Sequence, residues 1–350
     1  MKIHEKYIKR CIELAKKGLG TTSPNPSVGS VIVCDGIVVG EGYTSPYGGN
    51  HAEVNAINSI EDKSLLGQAT IYVSLEPCNH FGKTPPCSDL IIKHKIPNVV
   101  IGCIDPFEKV AGTGIEKLKA SGCNVVVGVL EHECIDSNKR FFTYQNKKRP
   151  YLILKWAETK DKFISPHLSL LPKGEEAKPI WITNKYSQQL VHKWRAEEDA
   201  ILIGTNTAIN DNPKLNVRNW VGKNPVRVVL DRELRIPKNY HIYNGQVRTI
   251  ILTEKKEQLS DSVTFEHLDY SKNMVQQICS VLYEYRLQSI FIEGGKQTLE
   301  TFIESGLWDE ARIFIGDTSF DSGLKAPIVK GKIISETGIK GDLLKIIRNA

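Results

Sequence analysis

Long hydrophobic runs are missing from this sequence. None approaches the roughly 18 apolar residues that a membrane-spanning helix requires, and one of the most apolar stretches, Ile96-Pro97-Asn98-Val99-Val100-Ile101-Gly102-Cys103-Ile104, has only the length of a strand. No membrane association is expected. The segment MKIHEKYIKRCIELAKKG lacks the apolar core and small-residue cleavage site of a secretion signal. Its Ile3, Tyr7, Ile8, Ile12, Leu14 and Ala15 recur instead near helical spacing between charges, which predicts a first helix of the fold. The eight cysteines have no compact framework spacing, which argues against a disulfide-stapled secreted domain and for a cytoplasmic protein with free or metal-bound thiols.

A basic tail, an internal repeat and a low-complexity tract are also missing. Lys and Arg number 46 against 40 Asp and Glu, and the net charge of +6 divides into +3 on either side of Pro150. So even an excess suits anionic small substrates such as phosphates and speaks against a nucleic-acid partner, which calls for a clustered basic stripe. What is present is ordinary for a globular chain: 41% hydrophobic and 25% charged residues exclude disorder and fibrous repeats. At 350 residues, about two domains are expected.

The pattern alternates short strands with helices. Residues 28–33 and 37–39 flank the hairpin signal Asp35-Gly36. A helix is expected from His51, a strand over 69–75, a helix over 88–94, a strand over 99–103, a helix over 114–120 and a strand over 124–129. The polar stretch 145–150, ending in proline, marks the boundary between a first domain, 1–146, and a second, 147–350. The second domain is also α/β, with strands over 151–155, 200–203, 226–230, 249–252, 289–292 and 312–315, and helices over 186–195, 274–285 and 297–304. The proline-rich and charged stretch 165–179 reads as a loop.

The first domain carries an ordered constellation of metal-binding type. His51-Ala52-Glu53 stands at a helix start, and Pro77-Cys78 with Cys87 supplies two thiols, one at the end of a strand and one at the start of a further helix. One imidazole and two thiolates leave a zinc ion with an open fourth position, where it draws the pKa of a water towards neutrality. Glu53, beside the ligands without being one, is placed to carry a proton from that water to a departing amine. This is the recipe of the zinc nucleobase deaminases, but their commoner signature has two residues between the cysteines, whereas eight separate Cys78 from Cys87 here. The longer loop brings His80 and Lys83 to a wall of the pocket.

Ser23-Pro24-Asn25-Pro26-Ser27-Val28-Gly29, His51-Ala52-Glu53, the run from Glu76-Pro77-Cys78-Asn79-His80-Phe81-Gly82 through Lys83-Thr84-Pro85-Pro86-Cys87, and Val110-Ala111-Gly112 resemble the deaminase half of the bifunctional RibD family of riboflavin biosynthesis. The resemblance implies a cytidine-deaminase-like three-layer α/β/α domain. Its implied substrate is a diamino-hydroxy-pyrimidine with a phosphoribosylamino group. Asn25 would hold the pyrimidine, His51, Cys78 and Cys87 one zinc ion, Glu53 the proton and Lys83 the substrate. Thr44 departs from the family, which often has histidine there.

The second domain has no Gly-x-Gly-x-x-Gly after a strand, so a conventional dinucleotide fingerprint is missing. Glu293-Gly294-Gly295, between a strand and a helix, would let backbone N–H groups approach a phosphate. Trp181-Ile182-Thr183, His192-Lys193-Trp194-Arg195, Asp199 to Gly204, Thr205-Asn206-Thr207, Asp211-Asn212-Pro213-Lys214-Leu215 with Arg218, Val229-Leu230-Asp231 and Glu293-Gly294-Gly295 resemble the reductase half of the same family, which is similar to dihydrofolate reductase. The implied cofactor is NADPH and the implied reaction turns the ribosylamino group into ribitylamino. By that resemblance Arg195 and Arg218 grip the substrate phosphate, with Leu215 and Glu293 against the rest, and Lys155 is a catalytic residue near the reacting centre. Trp181, Thr207, Asp211 and the run Gly295, Lys296, Gln297, Thr298, Leu299, Glu300, Thr301 would line the NADPH site. Lys162 and Pro179 depart from the family's usual glycine and serine. A homo-oligomer is expected. Two other readings compete: a nucleobase or tRNA deaminase with a non-catalytic second domain, which the long Cys78-to-Cys87 spacing and even charge oppose, and a structural zinc module, which would need a fourth protein ligand.

Overall fold

Short β-branched runs between helices become the strands of one main sheet in each of two units, Met1–Arg149 and Pro150–Ala350, the second unit adding a separate two-stranded ribbon. The computed structural model describes residues 2–81, 85–107, 111–166, 181–257 and 262–349.

The first unit contains β1 (Gly29–Cys34), β2 (Ile37–Tyr43), β3 (Thr70–Leu75), β4 (Asn98–Cys103) and β5 (Asn124–Val127), in the order β2-β1-β3-β4-β5. β1 pairs antiparallel with both neighbours, and β3, β4 and β5 run parallel. Asp35 and Gly36 take positive φ values of 49° and 77°, the primed turn whose twist matches a two-strand hairpin. The helices are α1 (Lys2–Ala15), α2 (Ala52–Asn58), α3 (Cys87–Lys93), α4 (Thr113–Ala120), α5 (Glu131–Ser137) and α6 (Lys139–Lys147).

Two glycines let helices close on opposite faces of this sheet. A Cβ on Gly29 would lie 1.9 Å from the Cys11 carbonyl oxygen of α1, and one on Gly42 would lie 2.3 Å from the Ala56 nitrogen of α2. Ser30 stands opposite Gly42 in the register, so Gly29 and Gly42 face different layers. Between the layers pack Ile8, Val31, Ile32, Ile57, Ile71, Val73, Ile91 and Ile101, all essentially inaccessible. The stretch 145–150 departs from expectation. It begins as the last turn of α6, and the chain turns through Lys148 at φ 52° before the next strand. Helices α5 and α6 carry few apolar residues and gave no strong periodic signal.

The second unit has ten further helices and strands that matter for its site or its core: β6 (Tyr151–Glu158), β7 (Phe163–Pro166), α7 (Lys185–Glu197), β8 (Ala200–Gly204), α8 (Thr205–Asp211), β9 (Val226–Leu230), β10 (Thr249–Thr253), β11 (Val263–His267), α9 (Met274–Glu284) and β12 (Ser289–Ile292). They are followed by α10 (Lys296–Glu304), β13 (Glu310–Ile315), β14 (Gly323–Lys325), β15 (Lys332–Ile339) and β16 (Asp342–Arg348). The nine-stranded sheet runs β11-β10-β9-β8-β12-β6-β13-β16-β15. It is parallel from β11 to β13, and β16 pairs antiparallel with both neighbours. Strands β7, β11, β14, β15 and β16 and helix α8 went unread in the sequence, most being edge or hairpin elements with partly exposed residues. Alternate residues separate two layers: Leu152, Leu154, Leu202 and Ile292 pack with α9 and α10, whereas Ile153, Phe291 and Phe314 pack with Val191 and Trp194 of α7. The expected loop 165–179 begins as strand β7 and otherwise lies outside the described residues, as does Pro179.

The tight seating of α2 yields a paired test. Gly42→Ala forces backbone atoms apart and is expected to cost about 1–3 kcal/mol, whereas Gly67→Ala, which meets nothing within 4 Å, is expected to leave stability unchanged or raised by about 0.5 kcal/mol. Denaturant melts of the two variants check the contrast, and equal destabilisation would contradict it.

Candidate functional site

His51 precedes the first turn of α2 with extended backbone, φ −72° and ψ 165°, and Glu53 follows in that turn, buried at 4% exposure. β3 ends at Leu75, and the chain leaves the sheet through Glu76-Pro77-Cys78, while Cys87 is the first residue of α3. These elements bring both sulfurs to one imidazole nitrogen: His51 Nδ1 lies 3.5 Å from Cys78 Sγ and 3.4 Å from Cys87 Sγ. The three ligand atoms all lie within 4.8 Å of one another, the one such group among the described residues.

The helix ends condition this group. The Cys87 backbone N–H donates to Cys78 Sγ at 3.4 Å and the Ser88 N–H to the Cys78 carbonyl at 3.1 Å, so the positive end of α3 meets the sulfur. Hydrogen bonding from the Cys87 thiol, helped by His51 and the Cys87 N–H and opposed by burial, pulls the Cys78 thiol down to about 4. A ready thiolate beside an imidazole and a second thiol is the donor chemistry that zinc takes. Burial pushes the Glu53 carboxyl up to about 7, against the lowering influence of His51.

A second buried carboxylate holds the exit from β3. Glu76 accepts backbone N–H groups of Asp105 (3.3 Å), Gly112 (2.9 Å), Gly114 (3.0 Å) and Ile115 (3.3 Å). It thus caps α4 and fixes the loop after β4 with one side chain. The sequence placed Glu76 in a motif but gave it no role. The signal that would have found it is the pair Gly112 and Gly114, whose backbone needs an acceptor. Asp105 is buried too, and burial pushes its carboxyl up to about 7.

Asn25 precedes β1 at the sheet end where β3 finishes, because the two strands are antiparallel. Its loop is pinned by Asn138, whose Oδ1 accepts the Ser27 N–H at 3.0 Å. Thr44, where histidine was the expected family residue, is buried and accepts the Val28 N–H at 3.0 Å through its hydroxyl. That hydroxyl is spent on the backbone at the entry to β1. Lys83, with Gly82, Thr84 and Val110 of the motifs, lies outside the described residues.

In the second unit candidate residues gather past the carboxyl ends of β12 and β8, with Lys155 of β6 level with the end of β12. Glu293 follows β12 and accepts a bidentate pair from Arg195 of α7, Nε to Oε1 and Nη2 to Oε2, both at 2.9 Å. Lys155 Nζ lies 3.6 Å from the same carboxylate. Burial works to raise the Glu293 carboxyl, but Arg195 and Lys155 hold it at about 2. Burial lowers Lys155, with Glu293 opposing. The Arg218 side chain is lowered first by partial burial and then by the facing Arg195 charge. Leu215 is only 3% exposed and packs its side chain in the core, so that side chain is not available to a ligand.

The cofactor candidates separate into surface and core. The Gly295 N–H donates to Thr207 Oγ1 at 3.0 Å, so this amide is already used, and the first-turn amides of α10 that follow it have no intrahelical acceptor. Trp181 stands 65% exposed outside any strand, a free aromatic face. Asp211 closes α8, and Lys296, Gln297, Glu300 and Thr301 belong to α10. Thr298 is 9% exposed and Leu299 is fully buried in the core, so these two support the helix from beneath. A helix N-terminus beside adjacent parallel strand ends suits a phosphate-bearing dinucleotide.

Lys162 shows how a departure from glycine is accommodated. It sits at φ 71° in the turn between β6 and β7, and its Nζ pairs with Glu158 Oε1 at 2.6 Å. Asp161 secures the same turn by accepting the N–H groups of Phe320 and Asp321 at 3.1 and 2.8 Å.

Residues 150–320 match the family of the RibD C-terminal domain, and residues 1–103 match the zinc-binding region of cytidine and deoxycytidylate deaminases. The chain is 39% identical over 327 residues to the riboflavin biosynthesis protein RibD of Aquifex aeolicus, covering 92% of this chain and 89% of that protein. It is 38% identical over 354 residues to RibD of Actinobacillus pleuropneumoniae, covering 98% and 89%. Among solved structures, the diaminohydroxyphosphoribosylaminopyrimidine deaminase/5-amino-6-(5-phosphoribosylamino)uracil reductase of Thermotoga maritima aligns with a TM-score of 0.89 at 38% identity, over 100% of this chain and 99% of that one. RibD of Acinetobacter baumannii aligns with a TM-score of 0.88 at 30% identity, over the same shares.

The left-handed turn at Lys162 gives a stability test. Lys162→Gly is expected to be the more stable of two replacements, because the turn's steric cost of about 1 kcal/mol disappears and offsets the loss of the ion pair to the buried Glu158 carboxylate, which keeps the Trp156 indole as a donor. Lys162→Val, branched at Cβ, is expected to lose about 1–2 kcal/mol. Thermal melts that ranked valine above glycine would contradict the assignment.

Proposed function

The chain belongs to the RibD family of bifunctional riboflavin-biosynthesis enzymes, and from that premise we propose how its own residues divide two consecutive reactions. The first unit is a zinc-dependent pyrimidine deaminase and the second an NADPH-dependent reductase. The substrate of the pair is a diaminohydroxyphosphoribosylaminopyrimidine, converted to 5-amino-6-(5-phosphoribosylamino)uracil and then reduced to its ribitylamino form. The observation that carries the site assignment is the buried Glu53 carboxyl beside the convergent His51, Cys78 and Cys87.

His51, Cys78 and Cys87 hold the zinc ion. When bound, zinc supplies the electrostatic pull that lets a water ionise near neutral pH. Glu53 takes a proton from the attacking water and passes it to the amine nitrogen as the carbon–nitrogen bond breaks, so that a carbonyl forms and ammonia leaves. With its carboxyl near 7, Glu53 is suited to both accepting and returning that proton. Asn25 orients the pyrimidine, and Lys83 reaches the substrate from the long loop.

In the second unit Lys155 and Arg195 pair with the carboxylate of Glu293, and the Arg218 charge acts within Coulombic range of both Arg195 and Glu293. Among the described residues these three cations outnumber the carboxylate they face, which suits a phosphate held by Arg218 and Arg195. When bound, NADPH supplies the hydride. Reduction of the ribose carbon would release the ring oxygen as an alcohol, and Lys155, held by Glu293, would give that oxygen its proton. Glu293 fixes Lys155 and Arg195, and the Leu215 backbone borders the substrate. Trp181, Thr207, Asp211 and the outer residues of 295–301 make the NADPH surface. The same reading divides the chain at 146/147 and places a homo-oligomer in the cytoplasm without a nucleic-acid partner. The even charge supports the last point, and no described helix is long and apolar enough to cross a membrane. A purely binding role for the second unit is not favoured, because its buried Lys155–Glu293–Arg195 cluster is built for chemistry.

Glu53→Gln separates catalysis from metal binding. The variant is expected to retain one zinc per chain by metal analysis and to lose deamination by about 10²–10⁴-fold, while still oxidising NADPH when given the deaminated intermediate. Unchanged deamination would remove Glu53 from the proton path.

A further inference from the structure

The segment that carries Leu215 and Arg218 is held in an uncommon conformation. Asn212 and Leu215 both lie in the left-handed region, at φ 38° and 48°, which non-glycine residues adopt only where their surroundings over-determine it. The surroundings here are side chains from the sheet and from α7. Arg227, in β9 and only 1% exposed, donates Nη2 to the Lys214 carbonyl at 2.6 Å. Its Nη1 donates to the His241 carbonyl at 2.7 Å and to Asn244 Oδ1 at 3.2 Å, while Nε has no partner. All these acceptors are uncharged, and among the described residues no counter-ion pairs with the guanidinium, so these hydrogen bonds are what offsets its desolvation.

At the other end, His192 of α7 is 5% exposed, and its Nδ1 accepts the Arg218 backbone N–H at 3.3 Å. Between these points Arg195 Nη1 reaches the Asn216 carbonyl at 3.5 Å and Asn224 Oδ1 accepts the Val217 N–H at 2.8 Å. Arg227 and His192 thus hold the two ends of 214–218. His192 must be neutral to accept, and burial, with Arg195 and Arg218 adding to it, draws its imidazole down to about 4.

We propose that Arg227 and His192 are positioning residues of the reductase: they clamp the segment 214–218 at its two ends and so present the Arg218 side chain and the Leu215 backbone to the phosphorylated substrate. The proposal rests on the assignment of Arg218 to the substrate. It makes no claim on NADPH, whose candidate residues lie on other segments.

The test uses the full chain supplied with the deaminated intermediate, and reads the KM for that intermediate and for NADPH separately, with thermal melting and deamination as controls of folding. Arg227→Met and His192→Leu are expected to raise the intermediate's KM about tenfold, as loss of a buried hydrogen bond to a fixed loop does, with the NADPH KM within about twofold. His192→Asn, whose amide oxygen takes the place of Nδ1, is expected to restore most of the loss, which a merely structural role would not require. If Arg227→Met does not fold, Arg227→Lys and the two His192 variants decide the question, the lysine reaching one carbonyl and giving a partial rise. Folded variants with an unchanged KM for the intermediate, or with both KM values rising together, overturn the clamp. Arg218→Ala is the reference: if it raises the intermediate's KM while the clamp variants do not, the clamp alone fails, and if it too has no effect, the substrate assignment fails with it.

Discussion

Both units depend on one constraint: strands buried on both faces leave room for reactive polar groups chiefly where a strand, or its neighbour in the sheet, ends. Along β3 and β12 nearly every residue is inaccessible, and a charged group midway would face apolar layers on either side. The reactive groups accordingly collect at Glu76-Pro77-Cys78 after β3 and at Glu293 after β12, and Lys155, although within β6, stands one residue beyond the last one paired with β12. Helices beginning at the same level add their positive ends. α2 and α3 do so around the thiols, and α10 does so beside Glu293.

The two buried carboxylates at these exits are stabilised differently. Glu76 accepts from four backbone N–H groups and, among the described residues, pairs with no cation. It organises a loop and a helix end, and its interactions are made once, on folding. Glu293 pairs with Arg195 and Lys155, so it balances part of the positive charge these two side chains bring to the cleft. One is architecture in the deaminase unit, the other electrostatics in the reductase unit, although both follow a strand and precede a proline or a glycine.

Much of this was legible in the sequence. The His51, Cys78 and Cys87 set was readable because each residue stands beside a recognisable strand end or helix start, and their meeting at one nitrogen follows from a sheet in which β3 lies next to β1. The α/β class and most central strands were readable because buried strands are runs of Val, Ile and Leu. Edge elements such as β11 and β15 were not, since half-exposed strands dilute the pattern with polar residues. Glu76, Asn138, His192 and Arg227 were invisible as functional groups for another reason. Each acts on a backbone group distant in sequence, and nothing in local spacing reports such a partner. Leu299 illustrates the reverse. A position within a cofactor-lining run turned to the core because every third or fourth residue of an amphipathic helix must.

The place of β12 in the sheet also orders events during synthesis. In the first unit the metal-binding side chains come from a strand exit and two short helices that are complete before α4 is made. In the second unit, β12 enters between β6 and β8, strands that leave the ribosome well before it, and Glu293 comes with it. Until that insertion, Lys155 and Arg195 have no shared carboxylate and two parallel strands have open edges towards each other. Long-range pairing of this kind is the slow part of building a sheet. The Lys155–Glu293–Arg195 cluster therefore closes only after β12 has been made and has entered between two strands that precede it in the chain.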